Sequence, residues 1–167
     1  FVFADADGRI GYHAVGNVPK RRMTWHGFRP AGEPEHEWEG TYRFDDLPQL
    51  IDPERDWVAS ANNPPWGGRS PYLCLGSWAD GYRFRRIRER IEAVEQHTPE
   101  GGGAIQADAV HARARELAPV VARYALGARN RALRAAGEVL QDWDGAYGTE
   151  AVAPSIFTPF WEHWLGR

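Results

Sequence analysis

Cysteine is all but missing from this chain of 167 residues: Cys74 stands alone, which excludes an internal disulfide and an all-cysteine metal site. Lysine is as scarce, Lys20 being the single one among 20 basic residues. With abundant alanine and glycine, that bias points to a GC-rich genome rather than to an arginine-specific function. Neither sign of charge prevails. The net charge of −3 and a pI near 6.1 give no global pull toward nucleic acid or an anionic membrane. No apolar run approaches the roughly 20 residues that span a bilayer. A glycine-rich phosphate loop, zinc-ligand spacing and a G-x-S-x-G elbow are all absent. The six histidines (13, 26, 36, 97, 111 and 163) include no pair at the i, i+4 spacing of a helical metal site, so each reads as structural or superficial. The chain opens on Phe1 inside an apolar run, and it reads as a piece of a longer polypeptide whose cellular location is not written here.

Two apolar, aromatic runs, residues 1–5 and 9–15, flank Ala6-Asp7-Gly8. Asp-Gly between such runs signals a hairpin, because glycine accepts a positive φ at little cost. Asp5-Ala6-Asp7-Gly8 could also open a calcium loop. That reading needs a ligand at the fifth position, Gly at the sixth and Glu at the twelfth, where this chain has Arg9, Ile10 and Gly16. The turn is the expectation. Residues 16–56 read as irregular, rich in Pro, Gly and Trp. Their alternating Glu33, Glu35, Glu37 and Glu39 suit a solvated loop or edge better than an acidic binding patch. Phe44–Pro48 suggests one helical turn capped by Asp45 or Asp46. Trp57–Ala61 reads as a short buried strand, ended by Asn62-Asn63-Pro64-Pro65.

Helices follow. Tyr82–Glu95 places Phe84, Ile87, Ile91 and Val94 on one stripe. Arg85, Arg86, Arg88 and Arg90 lie mostly off it, among Glu89 and Glu92, and read as a solvated face. Thr98-Pro99 looks like a helix start that Gly101–Gly103 should spoil. A second helix is expected over 104–126, kinked or interrupted at Pro119, a third over 130–143, and a fourth over 154–165. The fold class is therefore α+β, with a strand and loop part at 1–81 and a helical part at 82–167.

Residues 59–66 and 76–83 are where chemistry is most readily sought. An asparagine ending a strand can aim an uncharged N–H donor at an oxyanion developing on an acyl carbon, or it can simply bond nearby backbone. The residues alone favour the second use.

The passages ADADGRIGYHAVGNVPKR, WEGTYRFDDLPQLIDPERDWVASANNPPW and ADGYRFRRIRERIE, in this order, resemble the penicillin acylase family of N-terminal-nucleophile hydrolases. The resemblance covers residues 2–95. It extends more loosely through HTPEGGGAIQAD and Trp143-Asp144-Gly145. It implies a fragment of the catalytic β-chain and of a four-layer αββα sandwich, cut from a precursor that processes itself. It also implies hydrolysis of a small-molecule amide: an acylated β-lactam, an acyl-homoserine lactone or a relative of these. By the resemblance, Asn62 matches the oxyanion-hole asparagine. Arg83 matches the arginine that orients the nucleophile's amine and that asparagine. Asn63 matches only a neighbour.

The nucleophile is expected upstream, since none of Ser60, Ser70, Ser77 or Ser155 starts the chain, and the fragment alone is expected to be inactive. No cofactor is required for the chemistry. A structural calcium is a feature of many members, but Trp66–Pro71 offers no carboxylate for it. The implied partners are the amide substrate, the precursor's α-chain and the rest of its β-chain, with neither nucleic acid nor membrane. A periplasmic or secreted location is implied by the resemblance only.

Two rivals stand beside this reading. One is a non-enzymatic carbohydrate- or peptide-binding module that uses Trp25, Trp38, Trp66 and Trp78 as stacking platforms. The other is a family member that has lost its nucleophile and serves as a scaffold.

Overall fold

The structure, a computed structural model, describes residues 1–23, 27–67 and 78–166. Among these the chain forms three short strands, one 3₁₀ turn and five helices, an α+β composition. It divides into two compact units, Phe1–Gly81 and Tyr82–Arg167.

The first unit is built on the expected hairpin. Strands β1 (Val2–Ala4) and β2 (Ile10–His13) pair antiparallel, with Phe3 opposite Gly11. Gly8 turns the chain at φ +84°. Asp5 locks the turn: its Oδ1 accepts the backbone N–H of Asp7 at 3.1 Å and of Arg9 at 2.9 Å. An aspartate engaged this way acts as a turn device. A third strand, β3 (Gln49–Ile51), pairs antiparallel with β2 in the order β1-β2-β3. It lies in the stretch expected to be irregular. The Asp52 carboxylate fastens it, accepting from the Arg9 guanidinium and the Ile10 N–H, both at 3.0 Å. The Arg9 hydrogen bond, then that of Ile10, holds the Asp52 carboxyl below the ordinary carboxylate range.

Gly11 is buried in the central strand because Phe3 and Ile51 close over it. A Cβ there would lie 2.5 Å from the Phe3 ring and 2.9 Å from Ile51 Cδ1. The 3₁₀ turn Phe44–Asp46 forms, but no side chain caps it; Asp45 and Asp46 lie inside its first turn rather than at the cap. Its Phe44 ring stacks on His13 at 4.0 Å, and Leu47 just beyond it is buried.

Trp57–Ala61 is not a strand in the described structure. It runs half-buried and without a ladder until Ala61, which is buried. An apolar run satisfies only the burial half of what a strand needs; the other half is a neighbouring strand paired in register.

The second unit packs helix on helix. Helix α1 spans Tyr82–Glu92, α2 Pro99–Gln106, α3 Ala112–Leu126, α4 Arg131–Gln141 and α5 Ala153–Trp164. Helix α2 forms despite its three glycines. Thr98 Oγ1 accepts the Gly101 N–H at 3.1 Å and Pro99 occupies the first turn, so capping outweighs propensity. The single helix expected over 104–126 is thus two, separated by residues 107–111, and His111 Nδ1 caps α3 by accepting from Ala114 N–H at 3.3 Å. Helix α3 continues across Pro119 without interruption. Asn130 caps α4, accepting from Ala132 at 2.8 Å and Leu133 at 3.4 Å.

The core joins Ala114, Ala118 and Ala122 of α3 with Leu140 of α4 and with Ala153 and Phe157 of α5. Small residues on α3 let the helices approach closely. At Gly137 of α4 a Cβ would lie 2.9 Å from Leu126 Cγ and 3.1 Å from the Ala122 carbonyl. Helix α1 differs: none of its residues is fully buried, and Val94, expected on its stripe, lies beyond its end and is exposed.

Candidate functional site

Asn62 lies in a turn and not at a strand end. Its backbone is left-handed, φ +61°, a conformation asparagine tolerates better than most residues. Its carbonyl accepts the Ala79 N–H at 2.8 Å, which pins the turn to the segment leading toward α1. A second tie runs parallel to the first: the rings of Trp66 and Trp78 meet edge to face with centroids 5.1 Å apart.

The neighbouring asparagine does the local bonding. Asn63 Oδ1 accepts the Ala61 N–H at 3.0 Å, and Asn63 Nδ2 donates to the Pro64 carbonyl at 3.1 Å. Asn62 is exposed beside buried Ala61.

Arg83 stands in the first turn of α1 and is exposed. It belongs to the second unit and Asn62 to the first. Arg83 shares a helix face with Arg86 and Arg90, three and seven residues on. These two were expected in a solvated row. They are instead drawn onto Asp108, in the link between α2 and α3. Arg86 grips it with both arms of the guanidinium, Nε to Oδ1 at 2.9 Å and Nη2 to Oδ2 at 2.6 Å; Arg90 Nε lies 3.5 Å from Oδ2. Glu89 joins them, 3.1 Å from Arg86 Nη1 and 2.8 Å from Arg115 of α3. Side-chain exposures of 19% for Arg86 and 11% for Asp108 make this a largely desolvated pair. The Arg86 fork holds the Asp108 carboxyl below its usual range, and Arg115 does the same to Glu89.

The Trp143-Asp144-Gly145 turn stands behind this group. Its Gly145 carbonyl accepts the His111 N–H at 2.8 Å, and Ala146 bridges to Val110. The Trp143 indole donates to the Ala146 carbonyl at 3.0 Å.

Among the described residues one group brings metal-ligating atoms together, Glu33, Glu35 and His36, all within 4.8 Å. Both glutamates are exposed, and His36 Nδ1 already faces the Glu33 carboxylate at 3.1 Å and the Pro30 carbonyl at 3.3 Å. Nothing there distinguishes a metal centre from a surface ion pair. Of the loop 66–71, residues 68–71 lie outside the described residues, as do Trp25, His26, Ser70, Cys74 and Ser77.

Among the described residues, Trp66 and Trp78 do not stack as a flat platform. Trp66 and Trp78 cross edge to face, and Arg21 lies over Trp38 at 5.4 Å. An open apolar groove of about 820 Å³ runs along the second unit, lined by residues such as Leu117, Val121, Tyr124, Leu133, Trp161 and Trp164. Its lining holds neither a carboxylate nor a cation, and the candidate residues are not part of it.

The family model described as penicillin amidase matches residues 1–167, the whole chain. The chain belongs to the penicillin amidase family. It is 31% identical over 170 residues to the penicillin acylase 2 proenzyme of Pseudomonas sp. (strain SE83), covering 95% of this chain and 20% of that protein. It therefore spans about a fifth of the length of this penicillin amidase relative. In fold it is similar to the thermostable penicillin G acylase from Alcaligenes faecalis, with a TM-score of 0.61 and 23% identity over 87% of this chain and 27% of that one.

Proposed function

We propose that this chain is a segment of the catalytic chain of an amidohydrolase that cuts a linear amide C–N bond in a small molecule by means of an N-terminal nucleophile. In this reading the segment forms part of an αββα sandwich completed by the rest of a self-processed precursor. The nucleophile comes from that remainder, so the 167 residues alone hydrolyse nothing. Family membership supports the amidohydrolase class. The observation that carries the site is the left-handed turn that holds Asn62 exposed, fixed by the bond from the Ala79 N–H to the Asn62 carbonyl.

In the proposed mechanism the nucleophile's own α-amine takes the hydroxyl proton as the oxygen attacks the amide carbon. The carbonyl electron pair moves onto oxygen, and the Asn62 amide donates to that oxyanion without adding charge. Collapse of the intermediate breaks the C–N bond. The proton held on the amine passes to the leaving nitrogen, and water then releases the acyl group by the same steps. Arg83, permanently cationic, orients the amine and disfavours its protonation, keeping it a base.

The test uses the full-length, processed protein and a panel of acylated β-lactams and acyl-homoserine lactones. Asn62→Gly keeps the left-handed backbone and removes the amide. It is expected to lower kcat by on the order of 10²–10³. Asn62→Asp should cost more, since it sets a negative charge beside a developing one. Unchanged turnover in Asn62→Gly would sink the assignment.

A further inference from the structure

Helix α1 carries Arg83, and its apolar stripe, Phe84, Ile87 and Ile91, is only half-buried. Polar contacts add to its hold on the helix's rotation. Residues 83, 86 and 90 share one face, and the two lower arginines are both taken by Asp108. Glu89 is tied to Arg115, and Arg85 to Glu116, both on α3. The Tyr82 ring, one residue before Arg83, receives the Arg113 guanidinium at 4.7 Å.

Asp108 is itself immobilised. Its Oδ1 accepts the Val110 N–H at 3.0 Å, and Val110 is bridged to Ala146 in the Trp143-Asp144-Gly145 turn. A Cβ at Gly145 would lie 2.8 Å from the Arg115 backbone, so this turn abuts the start of α3 directly. Two stretches that the chemistry leaves unexplained, GAIQAD and WDG, thus build one object.

We infer that Asp108, gripped by Arg86 and anchored through Val110 to the Trp143–Gly145 turn, is a positioning residue that sets the direction of Arg83 by clamping the face of α1 one turn below it. The inference rests on the role proposed for Arg83. The clamp transmits orientation and not charge: a bidentate pair fixes a plane, and a plane on a helix fixes its rotation. Misplacement of an orienting group by about an ångström costs on the order of 10² in rate.

The experiment is a double-mutant cycle in the full-length processed protein. Asp108→Asn is expected to lower kcat about tenfold to a hundredfold with little change in KM. It should also move the acid limb of the kcat/KM profile to higher pH, because the amine loses its cationic neighbour. Arg86→Lys keeps the charge but loses the fork, and should give a smaller loss of the same kind. In an Arg83→Ala background Asp108→Asn should cost nothing further. An additive loss, or none in either background, overturns the clamp.

If Arg83→Ala itself leaves turnover untouched, the role of Arg83 fails. The clamp is then judged by a nitroxide attached through Arg83→Cys: Asp108→Asn should free the label, and an unchanged spectrum refutes the clamp on its own terms. If Asp108→Asn does not fold, Arg86→Lys supplies both readouts.

Discussion

Residues 1–81 and 82–167 are stabilised by different means. The first unit has strands of three or four residues, and its fully buried apolar side chains are few, Leu47 and Ala61 among the described residues. It is held instead by carboxylates and amides placed against backbone: Asp5 in the hairpin turn, Asp52 across β2 and β3, Asn63 in the turn before Pro64. The described non-glycine residues of positive φ, Asp52, Asp56 and Asn62, all lie there. The second unit has a continuous apolar core from α3 to α5, and side chains cap α2, α3 and α4. The lesson concerns where a catalytic group can be put. A side chain on the first unit is aimed by local backbone conformation, whereas one on the second is aimed by the rotation of a whole helix.

This contrast can be sharpened by substitution, read as hydrogen exchange in the full-length protein, which resolves the units separately. The largest effect is expected at Phe157, whose truncation to Ala should destabilise the helical unit by about 3–5 kcal/mol and speed exchange through α3 and α5 while leaving β1–β3 unchanged. Gly137→Ala should follow. Its methyl meets Leu126 and the Ala122 carbonyl, and overpacking of this kind costs about 1–3 kcal/mol. Asp5→Ala removes an acceptor of two backbone N–H groups and should cost about 1–2 kcal/mol, confined to the hairpin amides. Spread of that effect into the helices would break the proposed contrast.

The smallest effect is acid sensitivity. Asp108 and Glu89 are held below their ordinary range by Arg86 and Arg115, so the stabilisation they lend is fully present above about pH 5 and fades as pH falls through their lowered folded values. Protection of the α1 amides should decline below about pH 4 by about 1 kcal/mol or less, and Asp108→Asn should flatten part of that decline.

How much of this was legible in the sequence varied with the range of the interaction. The hairpin was, because its turn chemistry and both strands lie within 13 residues. Strand β3 was not: Gln49-Leu50-Ile51 is a strand only because β2 lies ready to pair, a contact some 40 residues away along the chain. Trp57–Ala61 failed in the opposite sense, an apolar run with no ladder among the described residues. Helix α2 was discounted on glycine content, although its Thr98-Pro99 start was already visible. At the site, the residues alone favoured backbone bonding for the asparagine, and the chemical role of Asn62 came from the resemblance. The positive φ at Asn62 and the bonding of Asn63 are three-dimensional facts. The Asp108 pair had a faint signal in the spacing of Arg83, Arg86 and Arg90, but an acceptor 22 residues beyond Arg86 does not announce itself in a list of charges.

Gly137 sets a limit on how this chain can change. Because α4 meets Leu126 and the Ala122 carbonyl there with no side chain between, any mutation that adds bulk at 137 must be matched by lost bulk at 126. The carbonyl at 122 belongs to the main chain and cannot shrink, so even a matched pair leaves a residual conflict. Descendants of this chain should keep position 137 bare, or lose it only together with a shift of the whole α3–α4 register.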